Sequence, residues 1–316
     1  MQFKTRTDEI LLDFSLYANF LHSSGAVYLH TDVTSEIGLD FKHMDGRSGR
    51  FYFLEELRSG TAFFDNDNDL DIYFVNGSDL PGHNSAKKPI NQLYQNDDRG
   101  NFTDVTLQAG VGDLGYGIGC CIGDYNNDDY LDLYVTNYGN NVLYKSKGNG
   151  TFVDVTDQAN VGDSRWGSSC AFADYDNDGD LDLYVTNYVQ FDFEKHKTCR
   201  FNDVETYCQP QDFQGESDLL YQNNGNGTFT NVTREAGVYN SRGRGLGVVW
   251  GDLTTPKTPI SISRMTPTTT ISIKIVVTAN LQMLLSTRGS HWAKTEKWRV
   301  EWALILATST MTVFWI

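Results

Sequence analysis

The sequence predicts an all-β fold, a partial β-propeller with three to four recognisable blades, and three observations predict it. Short segments rich in strand-forming residues recur at a period near fifty. Clusters of Gly, Asn and Asp separate them as turns. No segment keeps a helical period for three turns, and DQANVGD (157–163) has room for a single turn only. Strands at this density and spacing suit blades, or a similar radial array.

The repeat is read by aligning the chain with itself. GCCIGDYNNDDYLDLYVTNY opens at residue 119, and SSCAFADYDNDGDLDLYVTNY spans 168–188. Asp124, Asp132 and Tyr134 fall on Asp174, Asp182 and Tyr184, each fifty positions on. A second half-unit occurs three times, as NQLYQNDDRGNFTDVTLQAGVGD (91–113), NVLYKSKGNGTFVDVTDQANVGD (141–163) and DLLYQNNGNGTFTNVTREAGV (218–238). LHTDVTSEIGLDF (29–41) reads as the end of a preceding unit. Repeats therefore occupy 28–253, with 1–27 unassigned. Insertions at about 77–90 and at 189–216 interrupt the period and are expected as surface loops on one face, a usual place for binding.

Composition narrows the function. Apolar residues make up 40%, enough for a packed core, and the formal charge is −16. Acidic residues concentrate between about 65 and 235, a balance that repels nucleic acid and anionic membranes and favours cations. No 18-residue apolar run is present, so no membrane insertion is expected. Asp8, Glu9 and Asp13 interrupt the start where a secretory signal needs apolar residues, so none is read there.

The acidity has a pattern. Asp174-Tyr-Asp176-Asn-Asp178-Gly179-Asp180-Leu-Asp182 sets carboxylates at positions 1, 3, 5 and 9. Ca2+ takes six to eight hard oxygen ligands at about 2.3–2.6 Å, carboxylates and a backbone carbonyl among them. Side chains spaced by two in a tight loop converge; Gly179 supplies positive φ, and the Asp180 carbonyl is the expected backbone ligand. In the preceding unit Asp124, Asn126, Asp128 and Asp132 keep the four positions, with Asp129 for the glycine, and weaker binding is expected. Asp65, Asp67, Asp69 and Asp71 form a loop two residues shorter, expected to be a distorted site or none. An EF-hand is disfavoured, because position 12 is Val185 rather than Glu and a strand follows.

Five cysteines give an odd count. Cys199 and Cys208 lie nine apart in the second insertion, as a small-loop disulfide or as two free thiols. Cys120 and Cys170 occupy equivalent places and read as small core residues. Trp166 and Tyr116 follow equivalent Gly-Asp turns and read as blade packing. Asn149, Asn226 and Asn231 match glycosylation acceptors that the repeat turn generates in any case.

On FADYDNDGDLDLYVTNY, LYQNNGNGTFTNVTREAGV and the Cys199–Cys208 insertion after TNYVQFDF, the chain resembles the FG-GAP/VCBS repeat family, whose blades build integrin-α-like propellers. It looks nearest to the cartilage-acidic-protein-like members associated with an ASPIC/UnbV domain. The resemblance covers roughly 28–253. It implies Ca2+ held by Asp174, Asp176, Asp178 and Asp182, and by Asp124, Asn126, Asp128 and Asp132. It also implies an extracellular, cell-surface or periplasmic role in adhesion or protein interaction, with a protein or glycan partner. Family propellers usually have about seven blades, more than this chain shows.

The pattern stops after Gly251-Asp252-Leu253, where a further acidic loop is due and TTPKTPISIS follows instead. Read from the third base of the Trp302 codon, the degenerate codons through Ile316 permit Gly-Ile-Asp-Phe-Gly-Asp-Phe-Asn-Asn-Asp-Gly-Phe-Leu-Asp, another loop of the same kind. The segment 254–316 is therefore read as out-of-frame. A non-enzymatic calcium-binding module leads the functional readings. A propeller-type enzyme is the runner-up; no GxSxG or HExxH occurs, and the six histidines are scattered and read as surface residues. A nonfunctional frameshifted fragment is the third reading.

Overall fold

The computed structural model describes residues 32–57, 59–65 and 69–250, with the backbone of 312–313. The segment 1–27, Asp67 and the tail 254–316 with its out-of-frame reading fall outside the described residues, apart from that dipeptide. Within them the chain folds as successive four-stranded antiparallel sheets, the blades of a partial β-propeller. Blade 1 contains β1 (Thr61–Asp65), β2 (Leu70–Phe74), β3 (Gln92–Asn96) and β4 (Phe102–Asp104), followed by α1 (Thr106–Ala109). Blade 2 contains β5 (Tyr116–Gly123), β6 (Asp132–Tyr138), β7 (Val142–Ser146) and β8 (Phe152–Asp154), followed by α2 (Thr156–Ala159). Blade 3 begins with β9 (Gly167–Ala173) and β10 (Asp182–Asn187). A hairpin of β11 (Cys199–Phe201) and β12 (Val204–Thr206) is then inserted before β13 (Leu219–Asn223) and β14 (Phe229–Asn231). The dipeptide β15 (Thr312–Val313) pairs with β1.

Each unit closes with the same local device. Asp104, Asp154 and Asn231 accept hydrogen bonds from the N–H and hydroxyl of Thr106, Thr156 and Thr233. Each of these Thr hydroxyl oxygens accepts the N–H of Leu93, Leu143 or Leu220 on the blade's third strand. One Thr side chain thus satisfies buried backbone and starts the helical turn, which explains why DVT or NVT recurs. The turn ends on a left-handed residue, Gly110, Asn160 or Gly237. The 29–41 relic repeats the arrangement at Gly38, beside the Phe102 backbone of blade 1. Gly110 and Asn160 stand in the same way beside Phe152 and Phe229 of the following blade. The helical turn of one unit therefore sets the register of the next.

The first strands lie side by side at close range. A Cβ on Gly119 of β5 would sit 2.8 Å from the Ser168 carbonyl of β9. Adjacent strand residues point to opposite faces, so each sheet contributes to two cores. Cys120 faces blade 1 with Phe64, Tyr73 and Leu93, and Cys121 faces blade 3 with Leu183, Val185 and Tyr221. This alternation corrects the reading of Cys170 as a plain core residue. It is disulfide-bonded to Cys121 across the blade 2–blade 3 interface, with Cα atoms 5.6 Å apart. Cys120 is the free, buried cysteine, and burial pushes its thiol up to about 12.

At one end of the array an aromatic cluster closes the blades. Trp166 is 2% exposed and meets Phe53, Tyr138, Tyr188 and Phe191. The insertion 189–216 is not simply a surface loop: Phe191, Phe193 and Phe213 pack into this cluster. His196, expected at the surface, is half-buried against Tyr52 and shares a hydrogen bond with the Arg50 backbone carbonyl. The 77–90 insertion is organised by Asp79, whose carboxylate meets His83, Ser85 and Lys88 and is held well below the usual range by them.

Candidate metal centre

The acidic loops join the first and second strands of blades 2 and 3. Both are built on a buried aspartate at the start of the second strand. Asp182 accepts the N–H of Tyr175 at 2.9 Å and of Asn223 at 2.8 Å; Asp132 accepts those of Tyr125 and Ser146. Both are fully buried, and burial raises each carboxyl to about 7. Nearby carboxylates add to the rise, Asp176 and Asp178 for Asp182, and Asp128 and Asp124 for Asp132. The first loop position works from the other side. Asp174 accepts the N–H groups of Asn177, Asp178 and Gly179, and Asp124 those of Asp128 and Asp129. Turn residues make this wrapping possible: Asn177 and Gly179, like Asn127 and Asp129, all have positive φ.

In the blade 3 loop, carboxylate oxygens of Asp174, Asp176 and Asp182 lie within 4.8 Å of one another. That spacing encloses a cation bonded at about 2.3–2.6 Å, so these three residues fit a calcium ion. Asp178 accepts the Asp180 N–H, and Asp180 accepts the Asn127 side-chain amide at 2.7 Å; neither carboxylate belongs to the convergent set. In the blade 2 loop, Asp124, Asp128 and Asp132 do not form such a set among the described residues. Asp128 pairs instead with Lys145 at 3.2 Å, and Asn126 accepts the Asp128 N–H. In blade 1, Asp65 ends β1, the buried Asp71 accepts the Asn96 N–H, and Asp69 accepts the Asp98 N–H.

Two features escape a reading of the loops alone. Lys145 and Gln222 occupy the same place on the third strand, in LYKS and LYQN. Lys145 reaches Asp128, whereas the Gln222 amide donates to Asp176 at 2.5 Å. Asn223, the next residue, braces Asp182. The aligned sequences carry this signal, provided the strand after the loop is read with it. A second cluster, Cys199, Cys208 and Asp212, has its sulfurs joined in a disulfide with Cα atoms 5.0 Å apart, so neither is a thiolate ligand. No helix of the described residues is long and apolar enough to cross a membrane.

Antiparallel four-stranded sheets in succession, with an acidic loop between the first two strands of each, define a repeat protein of the β-propeller class. Residues 64–135 and 124–185 match the family model for the FG-GAP-like repeat, and the chain carries FG-GAP repeats through that stretch. No curated protein matches the chain.

Proposed function

We propose that the chain is a non-enzymatic interaction module, stabilised by Ca2+ in its blade loops and acting on a protein or glycan partner. The observation that carries the reading is the convergence of Asp174, Asp176 and Asp182 at a loop of the repeat. Three like charges at that range repel, and a divalent cation would offset the repulsion. Asp178 and the Asp180 carbonyl are proposed to complete the shell when an ion binds. The weaker site is assigned to Asp124, Asn126, Asp128 and Asp132. The Cys121–Cys170 and Cys199–Cys208 bonds support an oxidising compartment: extracellular, cell-surface or periplasmic. The insertion carrying Cys199 and Cys208 supports kinship with the ASPIC/UnbV-associated members.

The test is thermal unfolding of the intact chain in chelator and in millimolar CaCl2. An ion at 100 times its Kd stabilises the folded state by about 2.7 kcal/mol. The melting temperature is expected to rise, and the rise to shrink in Asp174→Ala with Asp176→Ala. An unchanged melting temperature in the parent protein would refute the calcium reading.

A further inference from the structure

The two acidic loops are joined by a buried hydrogen-bonded path between blades 2 and 3. Asn223, 3% exposed at the end of β13, stands at its centre. Its N–H donates to Asp182, and its side-chain amide donates to Leu181 O at 3.0 Å and, across the blade interface, to Tyr125 O at 2.7 Å. The Tyr125 N–H in turn donates to Asp132 at 3.3 Å. The buried carboxylates of the two loops are thus connected through two residues. Tyr125 is itself 3% exposed, and its ring lies 5.5 Å from that of Phe229 in blade 3. At the exposed rim, the Asn127 amide in one loop donates to the Asp180 carboxylate in the other. Gly225 leaves room for that carboxylate, since a Cβ there would lie 2.8 Å from its second oxygen.

We infer that Asn223 and the Asn127–Asp180 pair couple the loops, so that Ca2+ taken up by Asp174–Asp182 favours uptake by Asp124–Asp132. The inference rests on the calcium reading above. An ion pulls Asp182 and Asp180 into one arrangement; Asp182 is bonded to Asn223, and the Asp180 carboxylate to Asn127 of the neighbouring loop. Ordering one loop therefore supplies part of the ordering of the other, which is positive coupling. Among the described residues, these bonds belong to this pair of blades. At the place of Asn223, blade 2 has Ser146, whose N–H donates to Asp132 in the same way but whose side chain is shorter. Blade 1 has Asn96, which donates to Leu70 O and Asp71 of its own loop.

The experiment is a Ca2+ titration of the intact chain by calorimetry, repeated in Asn127→Gly and in Asn127→Gly with Asn223→Ser. Glycine keeps the left-handed conformation of position 127, and serine is the residue blade 2 itself uses. Two ions are expected per chain, with a titration steeper than two independent sites of unequal affinity allow, and that steepness is expected to be lost in the double variant. Reciprocity requires Asp124→Asn to weaken binding at the blade 3 loop by about fivefold or more. Two ions bound independently by the parent overturn the coupling, as does cooperativity unchanged in both variants. One ion per chain also overturns it while leaving the calcium reading intact, whereas no ion defeats both. If the double variant fails to fold by circular dichroism, Asn127→Gly and Asp124→Asn decide the matter.

Discussion

The blade 2 and blade 3 loops share a frame and differ in charge. Both end on a fully buried aspartate held by two backbone N–H groups, and both turn through two left-handed residues. Within the loop they part at Asn126 against Asp176, Asp129 against Gly179 and Tyr130 against Asp180, and on the third strand at Lys145 against Gln222 and Ser146 against Asn223. Blade 2 carries its own cation on Asp128; blade 3 presents a neutral amide to Asp176. The same turn can therefore carry a lysine on one of its carboxylates or a neutral amide, and a strand residue outside the loop decides which.

The largest effects are expected where the loops are alike. Asp132→Asn and Asp182→Asn are nearly isosteric, but an amide oxygen replaces two acceptor oxygens and an NH2 group faces a backbone donor. At pH 8, above the value of about 7 to which burial raises both carboxyls, the neutral amide removes the cost of a buried charge, which opposes the cost of about 1–3 kcal/mol for a backbone N–H left without its acceptor in chelator. Urea unfolding measures the balance. In CaCl2 the loss at Asp182 is expected to exceed that at Asp132, because the tighter site goes with it. Equal losses in calcium would break the ranking of the two loops.

The charge on the third strand comes next. A unit charge about 6 Å from a divalent ion is worth about 1.4 kcal/mol when water screens the pair fully, a factor of about ten in affinity. Lys145→Gln is expected to strengthen binding at the blade 2 loop about tenfold, and Gln222→Lys to weaken the blade 3 loop equally. Site-resolved titration with Tb3+, excited through Tyr125 or Tyr175, separates the two. An unmoved blade 2 affinity in Lys145→Gln would locate its weakness within the loop itself.

Much of this arrangement was legible because it is local. Alternating LDLYVTN, the single helical turn at 156–159 and positive φ at Gly179 and Asp129 follow from residues within one unit. The Cys121–Cys170 bond was not legible, since it depends on which first strands adjoin and which face each residue takes. The aromatic cluster was hidden for a similar reason: Phe191 and Phe213 reach Tyr52 and Phe53 only when the insertion folds back over distant segments. In the site, Asp174, Asp176 and Asp182 were readable from spacing, whereas Gln222 is 46 positions from the carboxylate it meets. Loop motifs encode the carboxylates, and the neighbouring strand sets the charge beside them.

The smallest effect isolates the backbone from the charges. An L residue in the left-handed region costs roughly 1–2 kcal/mol, less for Asp, whose side chain bonds locally. Gly179 has φ +95°, and a Cβ placed there would meet no atom within 4 Å, so Gly179→Ala adds no clash and reports conformational cost alone. It is expected to destabilise the chelated protein by about 1 kcal/mol. Asp129→Gly, the reverse change in blade 2, relieves a φ of +68° but frees the unfolded chain. The two terms oppose, and the net change is expected within about 0.5 kcal/mol, read by urea unfolding. Were Asp129→Gly to bring calcium affinity at blade 2 up to that of blade 3, turn geometry rather than Lys145 would distinguish the loops.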